Sequence, residues 1–408
     1  MEMENARDTK GKFAKARAKE DALFGSTGVA DSSFRLLKLV SVLIIFVLGV
    51  VLGLISGSHV DRYFDFQFRG KSVYFNPFQF GPANDESIEV NCGRDELKSM
   101  DSFTGLQNLN HGLTDDQLFW RATLVPEKEE FPFSRMPKVA FMFLTRGPIP
   151  LLPLWERFFA GQDADKYSIF VHAPPGFELS VSESSVFYRR QIPSKSVAWG
   201  SVSLVDGEKR LLANALLDYS NERFVLLSES CIPIYDFPTV HKYLVESAHS
   251  FVESFDDPSR YGRGRYSRWM KPDIKLSEWR KGSQWFEMQR TLAVKIVADT
   301  KYYSIFSKYC KPSCYPDEHY IPTYIRKFYG SLNSNRTITY VDWSLIAPHP
   351  ATFSAVNITE GFMNSLRNNG TACRYNFGET PICHLFARKF DPSALEPLLN
   401  ISSQVMGF

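Results

Sequence analysis

Polarity along the chain changes character several times before any regular element begins. Residues 1–35 are polar and charged, with no apolar period, as in a solvated tail. Residues 36–56, LLKLVSVLIIFVLGVVLGLIS, then run almost without charge and approach the ~20 apolar residues that cross a hydrocarbon core. A cleaved signal peptide would be shorter in its apolar part and nearer the N-terminus, so the segment reads as an uncleaved signal anchor. Lys10, Lys12, Lys15, Arg17, Lys19, Arg35 and Lys38 precede or enter it, whereas only Arg62 closely follows, beside Asp61 and Asp65. That bias places the N-terminus in the cytosol and the remainder in the lumen. Residues 57–112 mix Gly, Pro, Asn and Phe without a sustained period and are expected to form a stem, leaving 113–408 as a luminal domain.

Within 113–408 the periods become clean. Thr114 precedes a helical spacing of Leu118, Phe119 and Ala122 and suits its N-cap. KVAFMFLT (138–145) is a continuous apolar run ended by Arg146-Gly147-Pro148, the pattern of a buried strand entering a loop. LPLWERFFAG predicts a helix through Leu154, Phe158 and Phe159 that stops at Gly161. YSIFVHA (167–173) is a second strand, stopped by Pro174-Pro175-Gly176, and VFYRRQ (186–191) is a candidate third. SLVDGEKRLLANALLDYS predicts an amphipathic helix with Leu212, Ala215 and Leu216 inward, and RFVLLSES (223–230) another buried strand. Strands alternating with helices predict an α/β domain with a mostly parallel sheet and helices on both faces. Ligands of such sheets bind where strands end, here near Thr145-Arg146, His172 and Ser228-Glu229-Ser230.

A net charge of +2, with neither a basic helix nor a zinc-finger spacing, argues against nucleic acid as a partner. All six cysteines (Cys92, Cys231, Cys310, Cys314, Cys373, Cys383) follow the span, on the side where disulfides persist. So do four glycosylation sequons, at Asn335, Asn357, Asn369 and Asn400. Cys310, Cys314 and His319 could be read as zinc ligands, but C-x₃-C with one His is a poor zinc spacing, and a disulfide fits an oxidising lumen better. The pairing of six cysteines stays open.

The densest chemistry is SCYPDEHYIPTYIR (313–326). Pro316 suits the first position of a helix, which puts Asp317 and Glu318 in the first turn, where the helix dipole favours ionised carboxylates. An ionised carboxylate can act as a general base, although capping charge alone would explain the same pair. Pro322 is expected to kink or delay that helix. A divalent ion would want two carboxylates at the strand end, and Glu229 stands there alone; Asp256-Asp257 are adjacent and point to opposite faces. No metal is therefore expected, and fixed cations would have to hold any leaving diphosphate. Arg374, Arg388 and Lys389 are candidates, each also readable as a solvated surface charge.

KVAFMFLTRGPIPLLPLWERFF, YSIFVHAPPGF, ERFVLLSESCIPIYDF, GSQWFEMQR, YPDEHYIPT and HLFARKFD, in this order over roughly residues 115–392, resemble the core-2/I-branching β-1,6-N-acetylglucosaminyltransferase family, in particular its plant branch. The resemblance implies a GT-A-like α/β fold on a single-pass type II Golgi anchor. It also implies inverting transfer of GlcNAc from a UDP-sugar to a glycan or glycoprotein hydroxyl, with no metal or other cofactor. Residue by residue, it implies Glu318 as the base and Lys389 as the diphosphate ligand. Arg388, Arg374 and Thr145 fall on the donor side, and Glu229 and Trp285 on the acceptor side. Where animal members carry an acidic residue near the nucleotide, this chain reads His172-Ala173-Pro174, which leaves the donor sugar open. The competing reading is a membrane-anchored glycan-binding or scaffold protein that kept the fold without catalysis. A glycosidase would need two carboxylates facing each other across a bond, about 5–10 Å apart, and the neighbours Asp317 and Glu318 diverge.

Overall fold

The computed structural model describes residues 109 and 111–408, except 129, 312–313, 346–348 and 369. The predicted tail, the span at 36–56 and nearly all of the stem lie outside the described residues, as does Cys92. Among the described residues no helix is long and apolar enough to cross a membrane.

Strand β1 (Lys138–Leu144) is buried at every position, as its unbroken apolar run requires. It lies inside a four-stranded sheet ordered β2-β1-β3-β5, with β2 (Tyr167–His172), β3 (Asn221–Ser228) and β5 (Glu287–Gln289). β1 runs parallel to β2 and β3, and β5 closes the edge antiparallel to β3. The period of two divides β1 between two cores: Ala140, Met142 and Leu144 enter one, Val139, Phe141 and Phe143 the other. Helices α1 (Asp115–Ala122), α3 (Val202–Leu216) and α5 (Arg290–Ala298) supply the first core; α2 (Leu152–Phe159) and α4 (Phe237–Val245) supply the second. This is the predicted parallel-rich sheet with helices on both faces.

Local signals explain several boundaries. Thr114 and Gln117 cap each other reciprocally at the start of α1, where the Thr114 hydroxyl accepts the Gln117 N–H and the Gln117 side chain accepts the Thr114 N–H. In α2, Phe158 and Phe159 meet Phe141 edge-on at 5.9 and 5.1 Å, and Gly161 (φ +70°) turns the chain away. The stretch VFYRRQ does not form a strand. Arg189 takes a left-handed backbone (φ +55°), which breaks the extended path, and Gln191 alone keeps an isolated bridge to Val171.

Three further strands, β4 (Ile232–Pro233), β6 (Thr339–Val341) and β9 (Phe386–Arg388), make a second sheet ordered β4-β9-β6, and β7 (Cys373–Tyr375) pairs with β8 (Gly378–Thr380) as a hairpin. Helices α6 (Lys301–Tyr309), α7 (Pro316–Phe328), α8 (Glu360–Asn368) and α9 (Leu395–Ile401) complete the described elements used below. Cys310 bonds Cys314, and Cys373 bonds Cys383, so the cysteines weighed as zinc ligands are joined to each other; Cys231 is a buried free thiol.

Among the described residues one ion pair is fully inside. Arg223 of β3 donates to Glu287 of β5 through Nε at 2.7 Å and Nη2 at 2.8 Å, with side-chain exposures of 2% and 0%. Nη1 and Nη2 also donate to the carbonyls of Ser247 and His249, so every guanidinium nitrogen has an acceptor. Glu287→Ala is expected to leave Arg223 buried without its counter-charge and to lower stability by about 3–5 kcal/mol in urea unfolding. A loss below ~1 kcal/mol would show that the guanidinium is satisfied by the carbonyls alone.

Candidate active site

Helix α7 starts at Pro316 and runs without interruption through Pro322. The helix continues past the proline because the carbonyl that Pro322 leaves free finds another donor. Pro322 has no N–H to give the carbonyl four residues back, that of Glu318. Gly282 donates its own N–H to that oxygen at 2.9 Å. No other residue type fits there, since a Cβ on Gly282 would lie 1.9 Å from the Glu253 carbonyl oxygen and 2.9 Å from Cγ of Pro322. At the other end, Tyr315 adopts a left-handed backbone (φ +54°), and its carbonyl accepts the Glu318 N–H at 3.0 Å. Glu318 is thus held through both of its backbone polar groups.

Its side chain is 21% exposed. Oε2 accepts from Arg265 at 2.6 Å and lies 3.5 Å from the Lys281 ammonium. Arg265 is itself laid against the Tyr315 ring, 4.1 Å from its centroid. No described residue donates to Oε1. The flanking residues of the acidic motif are packed away. Asp317 is buried with one oxygen unpartnered, and burial first, then the Glu318 charge, raises its pKa to about 7. His319 is stacked on Trp279 at 4.5 Å with Nδ1 against the Arg280 carbonyl at 2.7 Å, and burial lowers its pKa to about 3. Behind them sits a carboxyl that the sequence reading did not single out, Glu208 of α3. It is wholly buried, accepts the Gln284 amide at 2.9 Å, and is raised well above the ordinary glutamate range by burial and by Asp317.

A second group of charges gathers where β3 ends. The pairing of Ile232 with Ala387 in β4-β9, and the Phe390 N–H donated to the Ser230 carbonyl at 3.0 Å, bring the Arg388-Lys389 turn against Ser228–Ser230. The Arg388 guanidinium lies 4.1 Å over the Trp285 ring, with Nε lacking a hydrogen-bond partner among the described residues. Glu229 accepts from Arg146 at 2.9 Å. Lys389 is lowered from the usual lysine value by burial, then by repulsion from Arg146 and Arg388, with Glu229 opposing. Arg388 is lowered by burial first, with Arg146 adding repulsion. Glu229 and Trp285, expected on the acceptor side, therefore sit among the cations.

Residues 281–285 join the two groups. Lys281 faces Glu318, Gln284 reaches Glu208, and Trp285 carries Arg388. Four residues extend at most about 14 Å, which bounds the separation of the Lys281 and Trp285 backbones.

The remaining predicted residues are placed as follows. Thr145 is buried at the end of β1, its hydroxyl donating to the His172 carbonyl at 3.3 Å. Arg374 is exposed on β7, whose hairpin leans on α4 through the Tyr375 hydroxyl and Asn376. Arg146, next to Thr145, is close enough for its charge to act on Lys389. Asn335, Asn357 and Asn400 are exposed, and Asn369 lies outside the described residues. Sequence reading also missed Arg265, Lys281 and Trp199. Trp199 is 64% exposed with its ring 5.1 Å from that of Tyr315. The one available signal was the basic run around Arg265. A cleft of about 780 Å³ opens beyond β2, lined by Pro174, Phe177, Arg189 and Gln191 among others, apart from the Glu318 group. Among the described residues no group of three His, Cys, Asp or Glu side chains could hold a metal ion.

Residues 139–367, more than half of the chain, match the Core-2/I-Branching enzyme family. The chain belongs to that family. A rice protein, Glycosyltransferase BC10 of Oryza sativa subsp. japonica, is 34% identical over 310 residues, covering 65% of this chain and 76% of the relative. Core-2/I-Branching membership makes this a glycosyltransferase-family protein, and the matched segment contains Glu318, Glu229 and Trp285 but ends before Arg388 and Lys389.

A raised carboxyl pKa means that the folded state keeps its proton over a range where the unfolded state has lost it. For Asp317 stability should therefore fall as pH rises from about 4 to about 7. His172 and His319, held neutral with pKa values lowered to about 4 and about 3, act in the opposite sense: their contribution is lost as pH falls below the ordinary histidine range. Comparison with Asp317→Asn isolates the first effect. The Tm of the variant minus that of the wild type is expected to grow between pH 4 and 7 and level above it. A difference constant with pH would mean that Asp317 is not protonated in the fold.

Proposed function

We propose that the protein is an inverting glycosyltransferase that transfers a sugar from a UDP-sugar to a glycan or glycoprotein hydroxyl without a metal ion. GlcNAc is the sugar that the family favours. The observation that carries this reading is the state of Glu318, whose Oε2 is clamped by Arg265 and Lys281 while Oε1 has no partner among the described residues. An acceptor hydroxyl can bond Oε1 and yield its proton there as the hydroxyl oxygen attacks the anomeric carbon. The bond from that carbon to the diphosphate oxygen breaks in the same displacement, which inverts the centre. Negative charge then grows on the diphosphate, and Lys389, Arg388 and Arg146 are the cations available to it. Glu229 orients Arg146, and Trp285 supports Arg388 from below. Two disulfides agree with a luminal Golgi location, anchored through residues 36–56.

Full-length protein assayed with UDP-GlcNAc and other UDP-sugars should show transfer or slow donor hydrolysis that persists in EDTA. Glu318→Gln is expected to cut transfer by ~10²–10⁴-fold while UDP affinity is unchanged, as for loss of a general base. Full turnover in that variant would remove Glu318 from the mechanism. Lys389→Ala is expected to weaken UDP binding by roughly tenfold or more, the weight of one charge-assisted contact. Unaltered UDP affinity would exclude Lys389 as a diphosphate ligand. Glycan binding with no turnover on any UDP-sugar would instead support a non-catalytic, glycan-binding protein.

A further inference from the structure

Residues 257–275, DPSRYGRGRYSRWMKPDIK, hold six basic side chains and two aspartates in a chain whose whole net charge is +2. Charge of this density usually decorates solvent. Here it is built into a fixed surface that ends at the candidate base. Trp279 Nε1 donates to the Gly262 carbonyl at 3.0 Å, the Arg263 N–H to the Asp257 carbonyl at 2.8 Å, and the Tyr266 hydroxyl to the Ile274 carbonyl at 2.7 Å. Arg263 is neutralised by Asp256 at 2.6 Å. Arg260, Arg268 and Lys271 are exposed, and none of them has a carboxylate partner among the described residues. Two large aromatic side chains are exposed among these cations, Tyr261 at 48% and Trp269 at 65%. Arg260 sits 4.7 Å over Tyr261, and Arg268 5.0 Å over Trp269. Arg265, from the same segment, lies 5.7 Å over Tyr261 and holds Glu318 at 2.6 Å.

Unpaired guanidinium groups select carboxylates and sulfates, and open aromatic faces take the apolar faces of rigid rings. An acidic sugar chain carries both features at a spacing of one residue. We propose that this segment is the acceptor-binding surface and that the acceptor is an acidic glycan. Its anionic groups meet Arg260, Arg268 and Lys271, its rings lie on Tyr261 and Trp269, and it delivers a neutral hydroxyl to Glu318. The inference rests on the glycosyltransferase reading above and narrows its acceptor class.

The test measures binding of full-length protein to four probes of matched length: an oligogalacturonate, its methyl ester, a sulfated glucan and poly-glutamate. Oligogalacturonate is expected to bind about tenfold tighter than its ester, as three exposed charge contacts worth a few-fold each would give, and to weaken with salt. Preferential binding of the sulfated glucan supports the surface equally and assigns sulfate esters as the anion. Arg260→Ala/Arg268→Ala/Lys271→Ala should lose that tenfold, and Arg260→Lys/Arg268→Lys/Lys271→Arg should recover most of it. Trp269→Ala should weaken binding at unchanged charge. UDP affinity and donor hydrolysis should be unaltered in all three. Glu318→Gln is expected to bind oligogalacturonate like the wild type, so a failure of the base and a failure of this surface are separable. Equal affinity for the methyl ester without preference for the sulfated glucan, poly-glutamate bound as tightly as the better of the two acidic glycans, or no effect of Trp269→Ala would overturn the proposal.

Discussion

The site depends on one hydrogen bond, from the Gly282 N–H to the Glu318 carbonyl. A proline in the second turn of α7 leaves that carbonyl without its helical partner, and a buried acceptor left unpaired costs about 1–3 kcal/mol. Glycine alone can come close enough to fill the gap, because Glu253 and Pro322 occupy the space of any side chain. The same contact fastens residues 281–285 to the helix. Lys281, Gln284 and Trp285 then fall against Glu318, Glu208 and Arg388 in turn. A helix-breaking residue and a backbone of minimal bulk together set where Lys281, Gln284 and Trp285 meet their partners.

Electrostatics divides the two ends of that segment. Around Glu318, Asp317 and Glu253 are both shifted toward their protonated forms by burial first and then by the Glu318 charge, while Glu318 itself reaches solvent with two cations beside it. Around Lys389 three cations share one carboxylate, Glu229, and Lys389 and Arg388 are depressed by burial and mutual repulsion. Clustered, underneutralised cations in a partly buried pocket are poised for an anion, because its charge relieves repulsion already present. The proposed single displacement on a sugar diphosphate would use this division, with proton acceptance at one end and charge stabilisation at the other.

The scaffold explains how distant segments meet. β3 delivers Glu229, and the short strand β4 that follows it pairs with β9, which delivers Arg388 and Lys389 more than 150 positions later in the chain. The family match stops at residue 367, yet the second sheet ties the later segment to the end of the parallel sheet. The buried Arg223–Glu287 pair holds β5 to β3 immediately beside Trp285, so the edge strand and the segment leading into it share one anchor.

Local order was legible in the chain itself. The apolar run 138–145, the Thr114 capping box and the Pro316 start all report interactions between near neighbours, and each appears where residue type and spacing placed it. The role of Glu318 as the accessible member of its motif was legible only as one of two readings, since sequence does not show that Asp317 and His319 turn inward. The donor that compensates Pro322 could not be read locally, because Gly282 lies 40 residues earlier in the chain. The placement of Arg374 was illegible for a similar reason: the β7-β8 hairpin follows contacts with α4 that no local pattern records. What the amino-acid order determined by itself was the set of elements and the candidate chemistry, because those depend on residues a few positions apart. Which charges share a pocket, and which are buried out of use, was decided by tertiary packing, because burial and long-range hydrogen bonds exist only once the strands and helices have closed on each other.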